Sequence, residues 1–265
     1  MPSALTDQHY WNAVWTYVGD QPSNAPQEDD PRDRYRAQLF ERFRTHLAPG
    51  RRFLEIGAGG SPWPALLAAR FGADAWGIDF SAGGLELAAA HAARERVKTT
   101  LVEGDFFDET LLPAGTFDVV YSGGFVEHFP EAQPLMRRIA QLLAPGGVVI
   151  TAVPNLAGLN GLAQRLVDED CYRRHIVFTP RSLDAAHALG GLHPVEQTRF
   201  VGVADLGWVN FSRVAPKIPA PALKLVWAGI TQSRRAAELF AGAFGVRHGG
   251  ALFSPSLIGV YDRGS

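Results

Sequence analysis

The chain has 265 residues, of which 46% are apolar, enough to bury the core of one large domain. Its formal net charge of −2 argues against overall attraction to nucleic acid or to an anionic membrane surface. Cys171 is the only cysteine, which excludes an internal disulfide and a thiolate-rich metal site. The N-terminus lacks a signal-peptide pattern, and no apolar run reaches membrane-spanning length. We therefore expect a cytoplasmic protein with neither a membrane nor a nucleic acid as partner.

Two helices are predicted before the first strand. Residues 7–18 carry apolar side chains at helical spacing, and residues 34–46 form a second such segment. Between them, residues 20–33 contain prolines and a run of acids, which predicts a loop. We expect residues 1–50 to form an N-terminal helical lid.

From residue 51 onward, strands and helices alternate. The predicted strands are almost wholly apolar and therefore suit a sheet that is covered on both faces. Strands are predicted at 52–56, 74–79, 98–103, 117–121, 147–153, 193–201 and 252–262, and helices at 62–71, 82–95, 132–143 and 181–189. This alternation predicts an α/β fold with a doubly wound, mostly parallel seven-stranded sheet.

A long helical segment interrupts the end of this pattern. The segment 202–251 is far longer than an ordinary connection between two strands, and it carries apolar residues at helical spacing. We expect a core over residues 51–201, a helical cap or insertion over 202–251, and the final core strand within 252–265. The apolar surface of the insertion suits an acceptor pocket or a dimer interface, so a monomer and a homodimer both remain open.

A glycine-rich turn follows the first predicted strand. Glu55 ends that strand region, Gly57 and Gly59 lie in the turn, and Asp79 ends the second strand. Glycines let a ligand approach the backbone, and an acid about 20 residues later can bind ribose hydroxyls, so the pattern predicts a nucleoside site. A nicotinamide dinucleotide is one candidate. Against it, Pro62 stands where that fingerprint has its third glycine, and Glu55 would repel a diphosphate.

Three further segments, 104–106, 117–122 and 142–147, follow in chain order. Together with the glycine turn and Asp79, this ordered set resembles the class I S-adenosylmethionine-dependent methyltransferases over about residues 51–200. The resemblance implies a Rossmann-like methyltransferase fold. It also implies that S-adenosylmethionine is the cofactor and S-adenosylhomocysteine the product.

The resemblance further implies which residues would bind the cofactor. The backbone of Gly57 and Gly59 would approach the methionine part, and Glu55 would face it. Asp79 would accept hydrogen bonds from both ribose hydroxyls, and Asp105 would accept one from the adenine amine. The full predicted cofactor set is Glu55, Gly57, Gly59, Asp79, Phe80, Asp105, Phe106 and Ser122.

Two histidines are the candidate catalytic residues. His128 lies in segment 122–129, which resembles the same region of small-molecule methyltransferases related to ubiquinone-biosynthesis enzymes. An imidazole titrates near neutral pH, which suits a general base. His175 precedes the sequence Phe178-Thr179-Pro180, where a histidine of those relatives borders the acceptor pocket. A purely structural hydrogen bond is the alternative role for both, and no metal site is expected.

The predicted reaction is an in-line transfer of a methyl group to an oxygen or nitrogen of a small molecule. A natural-product intermediate of secondary metabolism is one such acceptor. Two alternatives remain open, a nicotinamide-dependent oxidoreductase and a catalytically silent nucleoside-binding scaffold. The predicted acceptor contacts, for which packing or solvated surface is the simpler explanation, are Tyr10, Trp11, Tyr172, Arg174 and Trp208.

Overall fold

A seven-stranded sheet forms the centre of the protein. A computed structural model describes residues 4–19 and 34–264, so the loop predicted at 20–33 lies outside the described residues. The strands are β1 (Arg52–Ile56), β2 (Asp74–Asp79), β3 (Thr100–Glu103), β4 (Phe117–Gly123), β5 (Leu143–Pro154), β6 (His193–Val201) and β7 (Ser256–Asp262).

The strand order is β3-β2-β1-β4-β5-β7-β6, and β7 alone runs antiparallel to its neighbours. The predicted doubly wound, mostly parallel sheet is therefore confirmed. Because the chain leaves β1 toward β2 on one side and β4 pairs with β1 on the other, the order reverses at β1. In such sheets, ligands bind at the carboxyl ends of the strands beside this reversal.

Each helix predicted from the sequence is present, with bounds that differ by at most one residue. The helices are α1 (Gln8–Gly19), α2 (Arg34–His46), α3 (Trp63–Phe71), α4 (Ala82–Glu95), α5 (Ala132–Leu142), α6 (Leu159–Val167), α7 (Glu169–Arg173), α8 (Pro180–Ala188), α9 (Ala220–Ala243) and α10 (Gly250–Phe253). Short 3₁₀ turns lie at Val126–His128, Leu206–Trp208 and Ala215–Lys217. Among the helices so described, none is both long and apolar enough to cross a membrane.

The sequence prediction misses α6 and α7 and places the start of the last strand too early. α6 carries Gly161 in its interior, which weakens its helical signal. α7 has only five residues and is capped by Asp168, whose side chain accepts from the Cys171 N–H. The segment that begins at residue 252 is first the end of α10, and β7 begins at Ser256. The division into lid, core, insertion and final strand stays a prediction.

Helices cover both faces of the sheet. Successive side chains of a strand point to opposite faces, so Phe53 and Leu54 of β1 enter different clusters. Phe53 packs with Phe43 of α2, at a ring-centroid distance of 5.6 Å, and with α3. Leu54 shares its cluster with residues of α5 and α8. Both faces of the central strands are thus buried, as their apolar sequences indicate.

A capping box begins α8 and gives a modest test of local stability. The Ser182 N–H donates to Thr179 Oγ1 over 3.2 Å, and the Thr179 N–H donates to Ser182 Oγ over 2.8 Å. We expect Thr179→Ala to lower the free energy of unfolding by about 1 kcal/mol in urea denaturation. Ser233→Ala, on the exposed side of α9, is the control and should change it by less than about 0.5 kcal/mol. Equal losses in the two variants would contradict this role of the cap.

Candidate functional site

A cavity of about 630 Å³ lies at the carboxyl ends of β1 to β4, beside the reversal of strand order. This volume is typical of sites for small organic ligands. Its floor comes from the loops that follow these strands, and α1 lies across it. The loop residues that line it are Gly57, Gly59, Gly60, Ser61, Asp79, Phe80, Gly104, Asp105, Phe106, Phe107, Gly124 and Phe125.

Hydrogen bonds fasten α1 to the loop that follows β2. Gln8 Nε2 donates to the Phe80 carbonyl over 2.7 Å, and Ser81 Oγ donates to Asn12 Oδ1 over 2.7 Å. Trp15, on the same helix, lines the cavity. Its indole nitrogen is buried and has no hydrogen-bond partner in the described part of the chain. A ligand oxygen in the cavity would supply the acceptor that this N–H lacks.

Every residue of the predicted cofactor set except Ser122 lines this cavity. Ser122 is fully buried instead, and its Oγ has no hydrogen-bond partner in the described ranges. Tyr121 and Gly123, the neighbours of Ser122 in β4, both line the cavity. Since side chains alternate along a strand, Ser122 faces the other side of the sheet.

Asp79 ties the end of β2 to the glycine turn. Its Oδ2 accepts from the Gly59 N–H and its Oδ1 from the Ser81 N–H, each over 2.8 Å. Burial raises the pKa of Asp79, and these N–H donors oppose that rise. A Cβ at position 59 would lie 2.8 Å from both Asp79 Oδ2 and Trp15 Nε1, so any other residue there would displace these side chains. Each carboxylate oxygen can accept a second hydrogen bond, so Asp79 retains capacity for a ligand.

Glu55 is a second buried carboxyl group at the cavity. It is 3% exposed, and its Oε2 accepts from Ser61 Oγ over 2.7 Å. Burial raises the pKa of Glu55 to about 8, against the lowering effect of the Ser61 hydrogen bond and with a further increase from nearby Asp79. Without a cation beside it, Glu55 therefore keeps its proton at neutral pH. A positively charged ligand would favour the ionised form.

Four carboxyl groups line the cavity. They belong to Asp7, Glu55, Asp79 and Asp105, and no described lining residue is a lysine or an arginine. Opposite charges attract more strongly where water is displaced, so this cavity suits a ligand with positive charge. A diphosphate would be repelled by the ionised carboxylates, and no lysine or arginine of the described lining would offset this repulsion.

Aromatic rings form one wall of the cavity. The rings of Phe125 and Phe129 lie 4.8 Å apart, and those of Phe106 and Phe125 lie 5.7 Å apart. Asp105 lies at the edge of this wall, and its Oδ1 accepts from the Phe107 N–H over 2.9 Å. An aromatic wall with a carboxylate at its edge suits a nucleobase that carries an exocyclic amine.

The two candidate catalytic histidines lie side by side, with ring centroids 4.5 Å apart. His128 lines the cavity, whereas His175 lies outside the lining. His128 Nδ1 lies 2.8 Å from the Arg174 carbonyl oxygen, and His175 Nδ1 lies 2.7 Å from that of Cys171. Because a carbonyl can only accept, each Nδ1 carries the hydrogen and each Nε2 carries a lone pair. Burial lowers both pKa values, that of His128 to about 3, so both rings are neutral.

Glu127 is a third buried group beside these histidines, and the sequence analysis missed it. It is 1% exposed, and its Oε2 has no hydrogen-bond partner among the described residues. Burial raises the pKa of Glu127 to about 8. Its position directly before the candidate residue His128 could have indicated from the sequence that Glu127 lies at this site. The spacing of Phe125 and Phe129 around these two residues could likewise have indicated the aromatic wall.

Of the predicted acceptor contacts, Trp11 and Trp208 line the cavity, and Tyr10, Tyr172 and Arg174 do not. The Tyr10 hydroxyl lies 3.6 Å from Cys171 Sγ, and the Arg174 guanidinium lies 5.2 Å from the Tyr10 ring centroid. Adjacent residues of a helix point in different directions, so Tyr10 faces α7 while Trp11 faces the cavity. Direct contact with a ligand in this cavity is therefore not supported for Tyr10, Tyr172 and Arg174.

Sequence comparison identifies relatives of the chain. A family model described as a methyltransferase domain matches residues 29–197. The chain is 30% identical over 162 residues to the ubiquinone biosynthesis O-methyltransferase of Escherichia coli O9:H4 (strain HS). That match covers 61% of this chain and 61% of the relative, so the chain spans less than two thirds of the length of this curated protein.

Solved structures share the fold at low sequence identity. Phosphoethanolamine N-methyltransferase 2 of Haemonchus contortus, in complex with S-adenosyl-L-methionine, superposes with a TM-score of 0.58 at 18% identity, over 98% of this chain and 58% of that chain. Geranyl diphosphate C-methyltransferase of Streptomyces coelicolor A3(2), in complex with Mg²⁺, geranyl diphosphate and S-adenosyl-L-homocysteine, gives a TM-score of 0.56 at 15% identity. That superposition covers 97% of this chain and 96% of the other.

Proposed function

The chain belongs to the methyltransferase-domain family, and we propose that it transfers a methyl group from S-adenosylmethionine to an oxygen or nitrogen of a small molecule. The observation that carries this proposal is the acidic cavity at the reversal of strand order, whose described lining holds no lysine or arginine. The bound cofactor supplies an electrophilic methyl group on a positively charged sulfur, whose carbon–sulfur bond breaks with both electrons retained by sulfur. An acidic cavity favours this cation and its ammonium group.

The residues at the strand ends fit the parts of this cofactor. Asp79, held by the Gly59 and Ser81 N–H groups, accepts from the ribose hydroxyls. Asp105 accepts from the adenine amine beside the aromatic wall. Glu55 faces the ammonium end, since it lines the cavity next to the glycine turn. The unpaired indole N–H of Trp15 supports a ligand that carries an acceptor oxygen.

The acceptor end lies beside His128. Trp11 packs edge-on against the His128 ring at 5.4 Å, and both line the cavity. The walls hold the acceptor in line with the methyl group and exclude water, which accounts for much of the acceleration in a displacement of this kind. As the new bond to the methyl carbon forms, the acceptor releases its proton toward the neutral imidazole of His128, and His175 packs against that ring from outside the lining. Because burial lowers the pKa of His128 to about 3, this ring accepts the proton only transiently. Trp208 also lines the cavity and would contact the same acceptor.

The comparisons support a small acceptor without identifying it. The Escherichia coli relative is an O-methyltransferase of ubiquinone biosynthesis, and the Haemonchus contortus structure is that of an N-methyltransferase. A natural-product intermediate remains one candidate acceptor. The cytoplasmic location and the state as a monomer or homodimer remain predictions. The oxidoreductase alternative loses support, because the acidic lining would repel the diphosphate of a nicotinamide dinucleotide.

Isothermal titration with S-adenosylhomocysteine tests the proposal. We expect one binding site for each chain, with a dissociation constant on the order of micromolar, as is common for metabolic enzymes and their ligands. NADH is the matched control ligand and should give no binding heat. Absence of binding by both S-adenosylmethionine and S-adenosylhomocysteine would contradict the proposal. Binding without methyl transfer to any of a panel of phenol, alcohol and amine acceptors would favour the scaffold alternative.

A further inference from the structure

We propose that Glu127, His128 and His175 form a binding site for one divalent transition-metal ion. One donor atom from each residue, a carboxylate oxygen and two imidazole nitrogens, lies within 4.8 Å of the other two. Glu127 and His128 are buried, and His175 is half-buried. His128 also lines the cavity, so the site adjoins the acceptor end. The metal site itself does not depend on the proposed methyl transfer.

The hydrogen bonds of the two histidines prepare them as ligands. Each Nδ1–H donates to a backbone carbonyl, that of Arg174 for His128 and that of Cys171 for His175. Each Nε2 therefore presents a lone pair to its surroundings. Metal-bound histidines almost always donate their second ring N–H to a carbonyl or carboxylate, because that bond fixes the tautomer and the ring orientation.

Glu127 provides an independent indication. Its side chain is 1% exposed, and Oε2 has no donor among residues 4–19 and 34–264. None of the ion pairs that the structure describes involves Glu127. A buried carboxylate oxygen is unfavourable unless a hydrogen-bond donor or a cation satisfies it. A metal ion between the three side chains would supply that cation.

The backbone holds the three residues in one frame. Glu127 and His128 belong to the same 3₁₀ turn after β4. The Ile176 N–H donates to the Glu127 carbonyl over 2.7 Å, which brings the neighbouring His175 against this turn. The Leu5 N–H donates to the His128 carbonyl over 2.8 Å. Ligands about 2.1 Å from a zinc ion lie roughly 3 to 3.5 Å apart, so donor atoms that already lie within 4.8 Å of one another need only small side-chain movements to bind one ion.

The donor set selects the class of ion. Two imidazole nitrogens with one carboxylate oxygen is a combination that binds Zn²⁺ and Fe²⁺ in proteins and leaves positions open for other ligands. Mg²⁺ and Ca²⁺ prefer oxygen donors throughout. In the setting of the proposed function, on which this role rests, an open position would bind an acceptor oxygen. With both Nε2 lone pairs bound to the ion, the ion would replace the His128 imidazole as the group that promotes loss of the acceptor's proton. A hydroxyl bound to a divalent ion loses its proton to water more readily, which favours acceptors that carry a hydroxyl group.

Metal titration of the chelator-treated protein, without a histidine tag, tests the site. We expect one Zn²⁺ for each chain by isothermal titration and a Co²⁺ complex with visible absorption bands. His175→Ala and Glu127→Gln should each weaken Zn²⁺ binding by about 100-fold or more, since each removes a ligand. His193→Ala, at the exposed start of β6, is the matched control and should bind as the wild type does.

Two results would overturn the inference: wild-type protein that binds no stoichiometric Zn²⁺ or Co²⁺, or a His175→Ala variant that binds with unchanged affinity. His175→Gln, which retains side-chain volume, replaces any alanine variant that fails to fold, as judged by circular dichroism. S-adenosylhomocysteine binding is measured on the same metal-free wild-type sample. Cofactor binding without metal binding rejects the metal site alone, and metal binding without cofactor binding rejects the proposed function alone.

Discussion

Asp79→Ala is expected to weaken S-adenosylhomocysteine binding by about 100-fold or more. The carboxylate is already oriented by the Gly59 and Ser81 N–H groups. In the proposed complex it would therefore accept hydrogen bonds from the ribose hydroxyls without further reorganisation. Hydrogen bonds to a charged group contribute about 1.5 to 3 kcal/mol each, and the substitution removes two of them. Isothermal titration measures the loss of affinity. Thermal melting of the variant shows how much stability is lost when the Gly59 and Ser81 N–H groups have no acceptor.

Asp74→Ala is the matched control, because Asp74 begins the same strand that Asp79 ends. Its exposed carboxylate pairs with Arg52 over 3.1 Å, an interaction that contributes little to stability. We expect this variant to bind S-adenosylhomocysteine with wild-type affinity. Asp79→Asn, which keeps one acceptor oxygen, should lie between the wild type and the alanine variant. Normal binding by Asp79→Ala would show that the ribose does not lie at the end of β2.

The second large effect is a pH dependence of cofactor affinity that comes from Glu55. Burial raises its pKa to about 8, so the ligand-free protein holds this proton at neutral pH. A cationic ligand favours the carboxylate, so binding releases the proton. Affinity is therefore expected to increase with pH by up to about tenfold for each unit below pH 8, and to level off above it. In the absence of ligand, the stability of the fold changes in the opposite direction. The unfolded chain ionises Glu55 above about pH 4.5 while the fold holds the proton until about pH 8, so stability decreases as pH rises through this range.

Glu55→Gln should flatten this dependence, since the amide has no proton to release. Titrations of S-adenosylmethionine between pH 6 and 8, in two buffers of different ionisation enthalpy, measure both the affinity and the protons released. The difference between wild type and variant cancels the titration of the ligand's own amino group. Glu86→Gln, on the exposed face of α4, is the control and should keep the wild-type slope. Equal slopes for wild type and Glu55→Gln would contradict the role of Glu55.

The fold and the cofactor side of the site could be predicted because their signals are local. Gly57 and Asp79 each lie where an apolar strand ends, and a parallel sheet brings the carboxyl ends of its strands to one edge. The loops after β1, β2 and β3 therefore converge without any knowledge of packing. This convergence explains why the residues predicted there line one cavity.

The acceptor side depended on packing that the sequence does not reveal. Glu127 and His175 are distant in the chain, and they meet because the Ile176 N–H donates to the Glu127 carbonyl. The direction of a single side chain was also hidden, since Tyr10 and Trp11 are both aromatic residues of one helix and only Trp11 faces the cavity. Ser122 was predicted to line the cavity, but its neighbours Tyr121 and Gly123 do so instead. Adjacent residues of β4 face opposite sides of the sheet, so an error of one residue selects a side chain on the wrong face.

The position of β7 in the sheet determines which segment of the chain can change in length without disturbing the other strands. β7 separates β5 from β6, so β6 joins the sheet only when residues 202–255 have been looped out. The entropy cost of closing a loop grows with the logarithm of its length, about 0.6 kcal/mol for each doubling. Insertions and deletions in this segment should therefore alter stability little, although the distant pairing of β6 with β7 slows folding. Because Trp208 of this segment lines the cavity, sequence changes there can alter the cavity wall while the sheet stays intact.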